Sequence, residues 1–167
     1  MPQLWYTIQT KPRQEALAEE NLLRQNYSTY LPRLRLKKRR RNQWREVIAP
    51  LFPRYLFIRV DADEQSLAPI RSTLGVTGLV RFGQLLRPVP DEVIGYLKQA
   101  ENQQTHLHED TRSPHRLGDE VEILEGPFAG LQAVYQMDKP EQRALLLIEL
   151  LGRRNQVIVG LDNINVP

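Results

Sequence analysis

Two histidines and two carboxylates stand close together in "HLHED", residues 106–110, and they are the best candidates for metal chemistry in this chain. His106 and His108 lie on one face only if the segment is extended, and a metal site needs more ligands than these two histidines. The surrounding stretch is polar and has the composition of a linker. We therefore predict that this segment holds no metal ion.

No other set of residues in the sequence indicates catalysis. It has neither a Walker-type phosphate loop nor the Gly-x-Ser-x-Gly elbow of hydrolases. It has no cysteine, which excludes disulfides, thiol catalysis and cysteine-ligated zinc. No apolar run is long enough to span a membrane. We expect a cytoplasmic protein that is not an enzyme and uses neither a cofactor nor a metal.

A run of consecutive cations is the strongest candidate for binding chemistry. It consists of Lys37, Lys38, Arg39, Arg40 and Arg41. The first sixty residues hold 13 Lys and Arg against 4 Asp and Glu, whereas the remainder is net acidic. Such density attracts phosphate and releases counterions, so we favour a nucleic-acid backbone contact over a merely solvated hairpin tip. Trp44 is the only ring nearby, so base stacking is only weakly indicated.

The most apolar strand, "LFPRYLFI" at 51–58, follows this cationic stretch. In a strand, Tyr55 and Phe57 point one way while Leu56 and Ile58 point the other. Two interpretations stay open at this point. The strand is either central and buried on both faces, or its aromatic face anchors a protein partner, because aromatic side chains dominate such anchors.

The elements that position these residues follow from local patterns. Strands are predicted at 4–10, 53–60 and 76–82, and helices at 11–26, 64–75 and 91–103. An extended segment at 27–36 leads into a hairpin whose tip is the cation run. The 167 residues suffice for one ordinary domain or two small ones. A polar linker, 102–115, divides them into an N-terminal domain, 1–101, and a C-terminal domain, 116–167.

Four segments together resemble the NusG family of transcription elongation factors. They are "WYTIQTKPRQE", "LFPRYLFI", "STLGVTGLVRFG" and "GDEVEILEGPFAGLQAVY". The resemblance covers nearly the whole chain in the family's order and spacing. The sequence of the second and third segments is closer to the specialised paralogue RfaH than to the housekeeping member.

For the N-terminal domain, the resemblance implies an α+β fold, an antiparallel sheet flanked by helices. In the family this domain binds the clamp helices of the RNA polymerase β′ subunit through an apolar depression, and the factor suppresses pausing. Tyr55, Phe57 and Phe82 match that surface. A monomer that acts in elongation and antitermination is therefore expected.

The resemblance also implies a contact with non-template DNA, which specialised members make beside the first helix. Lys11, Gln14 and Thr73 match such positions, and Arg13 stands between them in place of a small residue. Leu74 replaces a basic residue of the family. Residues 66–69 read "SLAP" where a His- and Thr-rich patch is expected, which leaves open a contact with the polymerase β subunit.

Two folds are open for the C-terminal domain. Its KOW motif, with Gly126, Pro127, Phe128 and Gly130, implies an SH3-like β-barrel that recruits a ribosomal small-subunit protein or a termination factor. Alternatively, residues 144, 147, 148 and 151 share a helix face, and Pro140 suits the start of a helix. RfaH can hide its polymerase surface under such a helical hairpin.

A second function from another class is a ribosome- or RNA-associated KOW binding module, because KOW barrels also occur in ribosomal proteins. The paired "RYLF" and "VRFG" segments favour the polymerase-binding interpretation, since they belong to the polymerase-binding domain.

Overall fold

The N-terminal domain contains a four-stranded antiparallel sheet in the order β2-β5-β1-β6. A computed structural model describes residues 3–61, 67–109, 129–135, 137 and 139–164 of the chain. The strands are β1 Leu4–Thr10, β2 Ser28–Tyr30, β3 Arg33–Arg40, β4 Gln43–Pro50, β5 Tyr55–Val60, β6 Val76–Leu79 and β7 His108–Glu109. The helices are α1 Glu15–Arg24, α2 Ala68–Arg71, α3 Asp91–Gln99, α4 Ala129–Val134 and α5 Pro140–Ile164.

Strand β5 lies inside the sheet and is buried on both faces. It pairs with β1 from Leu4↔Val60 to Gln9↔Tyr55. Leu56 and Ile58 pack into one core together with residues of α1, whereas Phe57 belongs to a second core on the opposite face. Both predicted directions of the side chains are confirmed. Full burial of each such side chain contributes roughly 1.5–3 kcal/mol, which explains why this strand is central.

Strands β3 and β4 form a hairpin that projects from the domain. They pair from Arg33↔Pro50 to Arg40↔Gln43. The two turn residues, Arg41 and Asn42, have φ values of 51° and 62°, as a type I′ hairpin turn requires. Leu34 at the base is buried, whereas every residue from 37 to 46 is exposed. The prediction that the cation run forms a hairpin tip is confirmed.

The C-terminal region is helical at 129–134 and 140–164, as the helical alternative predicted, and the expected barrel is not confirmed. Residues 129–134 and 140–164 form α4 and α5, and Pro140 occupies the first position of α5. Gly130 lies in α4, whereas Gly126, Pro127 and Phe128 of the KOW motif fall outside the described residues. The physical reason is packing, because Leu147 and Leu151 bury one face of α5 against the N-terminal domain.

The first part of the predicted linker is packed rather than free. Strand β7 pairs in parallel with β3 through Leu34↔His108 and Arg35↔Glu109. Arg35 donates to Glu109 over 2.5 Å, and His108 is completely buried. A strand therefore lies where composition predicted a polar connection. No helix among the residues described is long and apolar enough to cross a membrane.

A covered apolar patch and a cationic surface as the candidate functional site

The three aromatic residues predicted to bind a protein partner lie in one apolar cluster. Tyr55 and Phe57 project from the same face of β5, and Phe82 follows β6. Phe57 is fully buried, while Tyr55 and Phe82 are half-buried against the same core. The ring of Tyr30 stacks on Phe57 with 6.2 Å between centroids. We call Tyr30, Tyr55, Phe57 and Phe82 the apolar patch.

Helices α4 and α5 cover this patch. Their inward-facing side chains are buried in the same core as Phe57: Leu131, Val134, Ala144, Leu147 and Leu151. The backbone of α5 lies directly on Phe82, since a Cβ atom added at Gly152 would be 3.3 Å from Cδ1 of that ring. The two helices also touch closely, because Leu150 fills the space where a side chain at Gly130 would begin. The chain itself therefore covers much of the apolar patch.

A buried arginine fixes α5 to the N-terminal domain. The Nε atom of Arg143 donates to the carbonyl of Leu51 over 2.9 Å, and Nη1 donates to the carbonyl of Met137 over 3.1 Å. Arg143 is almost fully buried. Hydrogen bonds from a charged donor typically contribute about 1.5–3 kcal/mol, so these contacts specify how α5 is seated.

A buried histidine joins β7 to the covering helices. Its ring atom Nδ1 lies 3.0 Å from the hydroxyl of Tyr135, and Nε2 lies 3.4 Å from the hydroxyl of Tyr30. That hydroxyl of Tyr30 donates to Glu101. Burial lowers the pKa of His108 to about 4 and raises the pKa values of Tyr30 and Tyr135. Imidazole and phenols are therefore neutral at neutral pH.

The positions of the two histidines argue against the metal site considered for residues 106–110. His106 is exposed while His108 is buried, so the two histidines do not face one space. Among the residues described, no three His, Cys, Asp or Glu side chains are grouped as a metal site would require. The expectation that the whole chain binds no metal stays a prediction.

The loop between β1 and α1 presents part of the predicted nucleic-acid surface. Lys11 and Arg13 are exposed and Gln14 is half-buried. The backbone N–H of Lys11 donates to the carbonyl of Gly75 over 2.9 Å. Gly75 has φ +90°, and a Cβ there would lie 3.1 Å from the backbone nitrogen of Ala18. Glycine therefore allows the loop before β6 to lie against the start of α1.

Thr73 lies inside the protein, unlike the other residues predicted for this surface. Its hydroxyl donates to the carbonyl of Pro69 over 2.7 Å and accepts from Nε2 of Gln25 over 2.8 Å. The side chain is 6% exposed, and Gln25 is the exposed partner. A direct role for Thr73 stays a prediction, and such a contact requires the hydroxyl to leave these bonds.

Arg54 joins the loop at Lys11 and was missed by reasoning from the sequence. Its Nε atom donates to the carbonyl of Thr10 over 3.2 Å, and its backbone N–H donates to Glu15 over 2.9 Å. The side chain is exposed. Antiparallel pairing of the predicted strands β1 and β5 would have indicated this position, since it places the start of β5 beside the end of β1.

The cation run forms a second group, on the hairpin. Lys37 to Arg40 alternate between the two faces of β3, as the strand period requires, and Arg41 lies in the turn. An open cleft of about 420 Å³ is lined by Arg40, Arg41, Gln43 and Arg45. Within the described ranges, none of the cations from Lys37 to Arg41 forms an ion pair. Their positive charge is therefore not neutralised by neighbouring acids.

Comparison with known proteins decides the family. The family model described as "Transcription termination factor nusG" matches residues 3–98, more than half of the chain. The chain belongs to the NusG family. Its N-terminal α+β domain with antiparallel sheets is thus the domain of the NusG family, and transcription termination and antitermination are the processes in which its relatives are named.

Individual NusG relatives match over almost the whole chain. The transcription termination/antitermination protein NusG of Thermus thermophilus is 29% identical over 179 residues, with 96% of each chain covered. That of Streptomyces virginiae is 27% identical and covers 98% of this chain. The chain spans only 63% of the length of that Streptomyces protein. A solved structure, described as "Domain interaction in Thermotoga maritima NusG", is 22% identical, covers 75% of both chains and has a TM-score of 0.45.

Proposed function

We propose that this NusG-family chain is a transcription elongation and antitermination factor that binds RNA polymerase through the apolar patch. Its target is the clamp helices of the β′ subunit, and its effect is to suppress pausing. One observation carries the proposal. Tyr55 and Phe57 on β5 and Phe82 after β6 belong to one apolar cluster, and buried aromatics are the usual anchors of protein interfaces.

In this proposal the covering helices regulate the binding of polymerase. The helices α4 and α5 occupy the surface that polymerase would need, so they must leave before it binds. This arrangement resembles RfaH, which can hide its polymerase surface under a helical hairpin. Once released, residues 116–167 fold as the KOW barrel and recruit a ribosomal small-subunit protein or a termination factor. Two such packings of one sequence differ by only a few kcal/mol.

The cationic surfaces hold nucleic acid beside the bound polymerase. In this proposal Lys11, Arg13 and Gln14 contact the non-template DNA strand together with Arg54. The hairpin cations contact the phosphate backbone, because they are exposed and carry no ion pair among the residues described. Backbone contacts of this kind add affinity on every sequence and weaken as salt rises.

A binding measurement tests the polymerase contact. We would titrate isolated β′ clamp helices with the full chain and with fragment 1–109, which lacks the covering helices. The fragment should bind more tightly, and Tyr55→Ala with Phe57→Ala in that fragment should weaken binding by about 2 kcal/mol or more. Leu23→Ala is the control, since Leu23 is an exposed apolar residue that lies on α1, away from the apolar patch. Unchanged affinity of a folded double variant would contradict the proposal.

A further inference from the structure

The hairpin tip has two chemically different faces. Directly paired residues of an antiparallel ladder share a face. The pairs Lys37↔Glu46 and Arg39↔Trp44 are on one face, and the pairs Lys38↔Arg45 and Arg40↔Gln43 are on the other. One face therefore carries an indole ring opposite a guanidinium. The other carries cations and one amide.

Trp44 is placed unusually for a residue of its type. The chain has two tryptophans, of which Trp5 is 8% exposed and Trp44 is 66% exposed. Trp44 stands on an arm where every residue from 37 to 46 is exposed, so no core explains it. Glu46, the only acid on this arm, lies 3.5 Å from Arg35 at the base. The tip thus presents one large ring surrounded by cations that form no ion pair with any residue the structure describes.

A ring among cations selects a ligand that has both a flat apolar face and negative charge. Single-stranded nucleic acid has both, because its bases are free to stack and its phosphates are regularly spaced. In a duplex the base faces are already occupied, so only the cations would contribute. A membrane surface is less well matched, since Trp44 is the only aromatic residue between 37 and 50.

We propose that the hairpin tip binds single-stranded DNA, with Trp44 stacking on an unpaired base. Arg39 and Lys37 hold phosphates on the face of the ring, and Arg40 and Arg45 hold the strand on the other face. This deepens the proposed function and rests on it, since the DNA strand displaced at a transcribing polymerase is unpaired. The composition alone indicated a contact with the phosphate backbone, and this proposal adds a contact with a base.

Tryptophan fluorescence of the full-length protein provides the readout. Because Trp5 is buried, quenching by an added oligonucleotide reports mainly on Trp44. We would titrate with oligo-dT, a duplex of equal length and oligo-rU at one salt concentration, and measure affinities by anisotropy of labelled strands. We expect oligo-dT to quench and the duplex not to. Trp44→Ala should bind oligo-dT about tenfold more weakly and bind the duplex unchanged.

Three further variants make the result specific. Trp44→Phe keeps a ring and should retain most of the affinity for oligo-dT. Ile48→Ala removes an exposed apolar side chain from the same face, 55% exposed, and should change nothing. Arg40→Gln with Arg45→Gln should weaken single strand and duplex alike and reduce the salt slope.

Several outcomes would overturn the proposal. Equal binding of oligo-dT by wild type and Trp44→Ala means that the ring does not stack. Tighter binding of oligo-rU makes RNA the ligand, and binding only to anionic vesicles makes the tip a membrane contact. Affinity for the clamp helices is measured in parallel in fragment 1–109 and should be unchanged by Trp44→Ala. Absence of clamp binding by wild-type fragment 1–109, with oligo-dT binding by the full chain intact, would refute the proposed function alone.

Discussion

The Nδ1 atom of His108 lies 3.0 Å from the hydroxyl oxygen of Tyr135, and the two rings stack with 5.6 Å between centroids. His108 belongs to β7, whereas Tyr135 directly follows α4. Tyr30 from β2 and Glu101 after α3 complete the polar surroundings of the imidazole. His108 thus joins the N-terminal domain to the end of helix α4, as Arg143 joins that domain to α5.

The covering helices should be less stable in mild acid. An exposed histidine takes up a proton near pH 6.5, whereas burial holds the pKa of His108 at about 4. Because the released state binds this proton and the closed state does not, proton uptake favours release of the helices. Closure should therefore weaken as the pH falls from about 6.5 to about 4, by up to about 1.4 kcal/mol per pH unit. Glu101 lies 3.8 Å from Nε2, but burial outweighs its attraction for a protonated ring, since the pKa of His108 is lowered. Urea titrations of the helical circular dichroism signal at pH 7.5 and pH 5 would measure it.

His106 supplies the matched control for this pH dependence. Its side chain is 81% exposed and lies two positions away. His106→Gln should leave the pH dependence intact, whereas His108→Gln should flatten it. The same pH dependence in both variants would assign it to other groups.

Arg143→Gln should loosen the helical cover. The change removes a buried charged donor from the carbonyl of Leu51, and a hydrogen bond from a charged donor contributes about 1.5–3 kcal/mol. We expect faster hydrogen exchange in α5 and tighter binding of the clamp helices by the full chain. Gln142→Ala, at an exposed neighbouring position, should change neither. Slow exchange retained in Arg143→Gln would show that apolar packing alone seats the helix.

Gly75→Ala should destabilise the N-terminal domain. The residue has φ +90°, and its Cβ would meet backbone atoms of Gln14 and Ala18 at 3.1–3.3 Å. The conformational cost alone is about 1–2 kcal/mol, and the backbone contacts add to it. Gly83→Ala measures the conformational cost alone, since Gly83 has φ +67° and a Cβ there would have no atom within 4 Å. Thermal denaturation of both variants measures the difference, and equal losses would show that the close approach is harmless.

The isolated fragment 115–167 should be β-structured although residues 129–134 and 140–164 are helical in the full chain. Alone, α4 and α5 would lose the N-terminal domain as partner, and Leu131, Val134 and Leu147 are buried in the core that they share with it. A helical hairpin without that partner is not stable, whereas a barrel buries its own strands. Far-UV circular dichroism of the fragment decides between them. A helical spectrum of the fragment alone would contradict this account.

Local patterns predicted much of this fold because they depend on neighbours along the chain. Alternation along β5 separated Tyr55 and Phe57 from Leu56 and Ile58, and these pairs do lie in different cores. Pro140 marked the start of α5. The choice between barrel and helices was not predictable, because both patterns fit the same residues and tertiary packing decides.

Features that depend on distant partners escaped prediction. His108 was assigned to a polar linker, and its burial depends on Tyr30, 78 positions away, and on Tyr135, 27 positions away. Thr73 matched a surface position, but its hydroxyl bonds to Gln25, 48 positions away. Arg54 lay within a strand pattern, and only the pairing of β1 with β5 places it beside Lys11.

The helical cover over the apolar patch also determines how this protein responds to its own abundance. Tethered segments compete at a local concentration on the order of millimolar, which no external partner of moderate affinity matches. A closure free energy of about 3 kcal/mol would leave roughly one molecule in a hundred open, and would weaken the apparent affinity of any patch ligand by the same factor. Because the competitor is part of the same chain, making more of the protein leaves that fraction unchanged. If the apolar patch binds a partner as proposed, occupancy of that partner is therefore controlled more effectively by whatever opens the helices than by expression level.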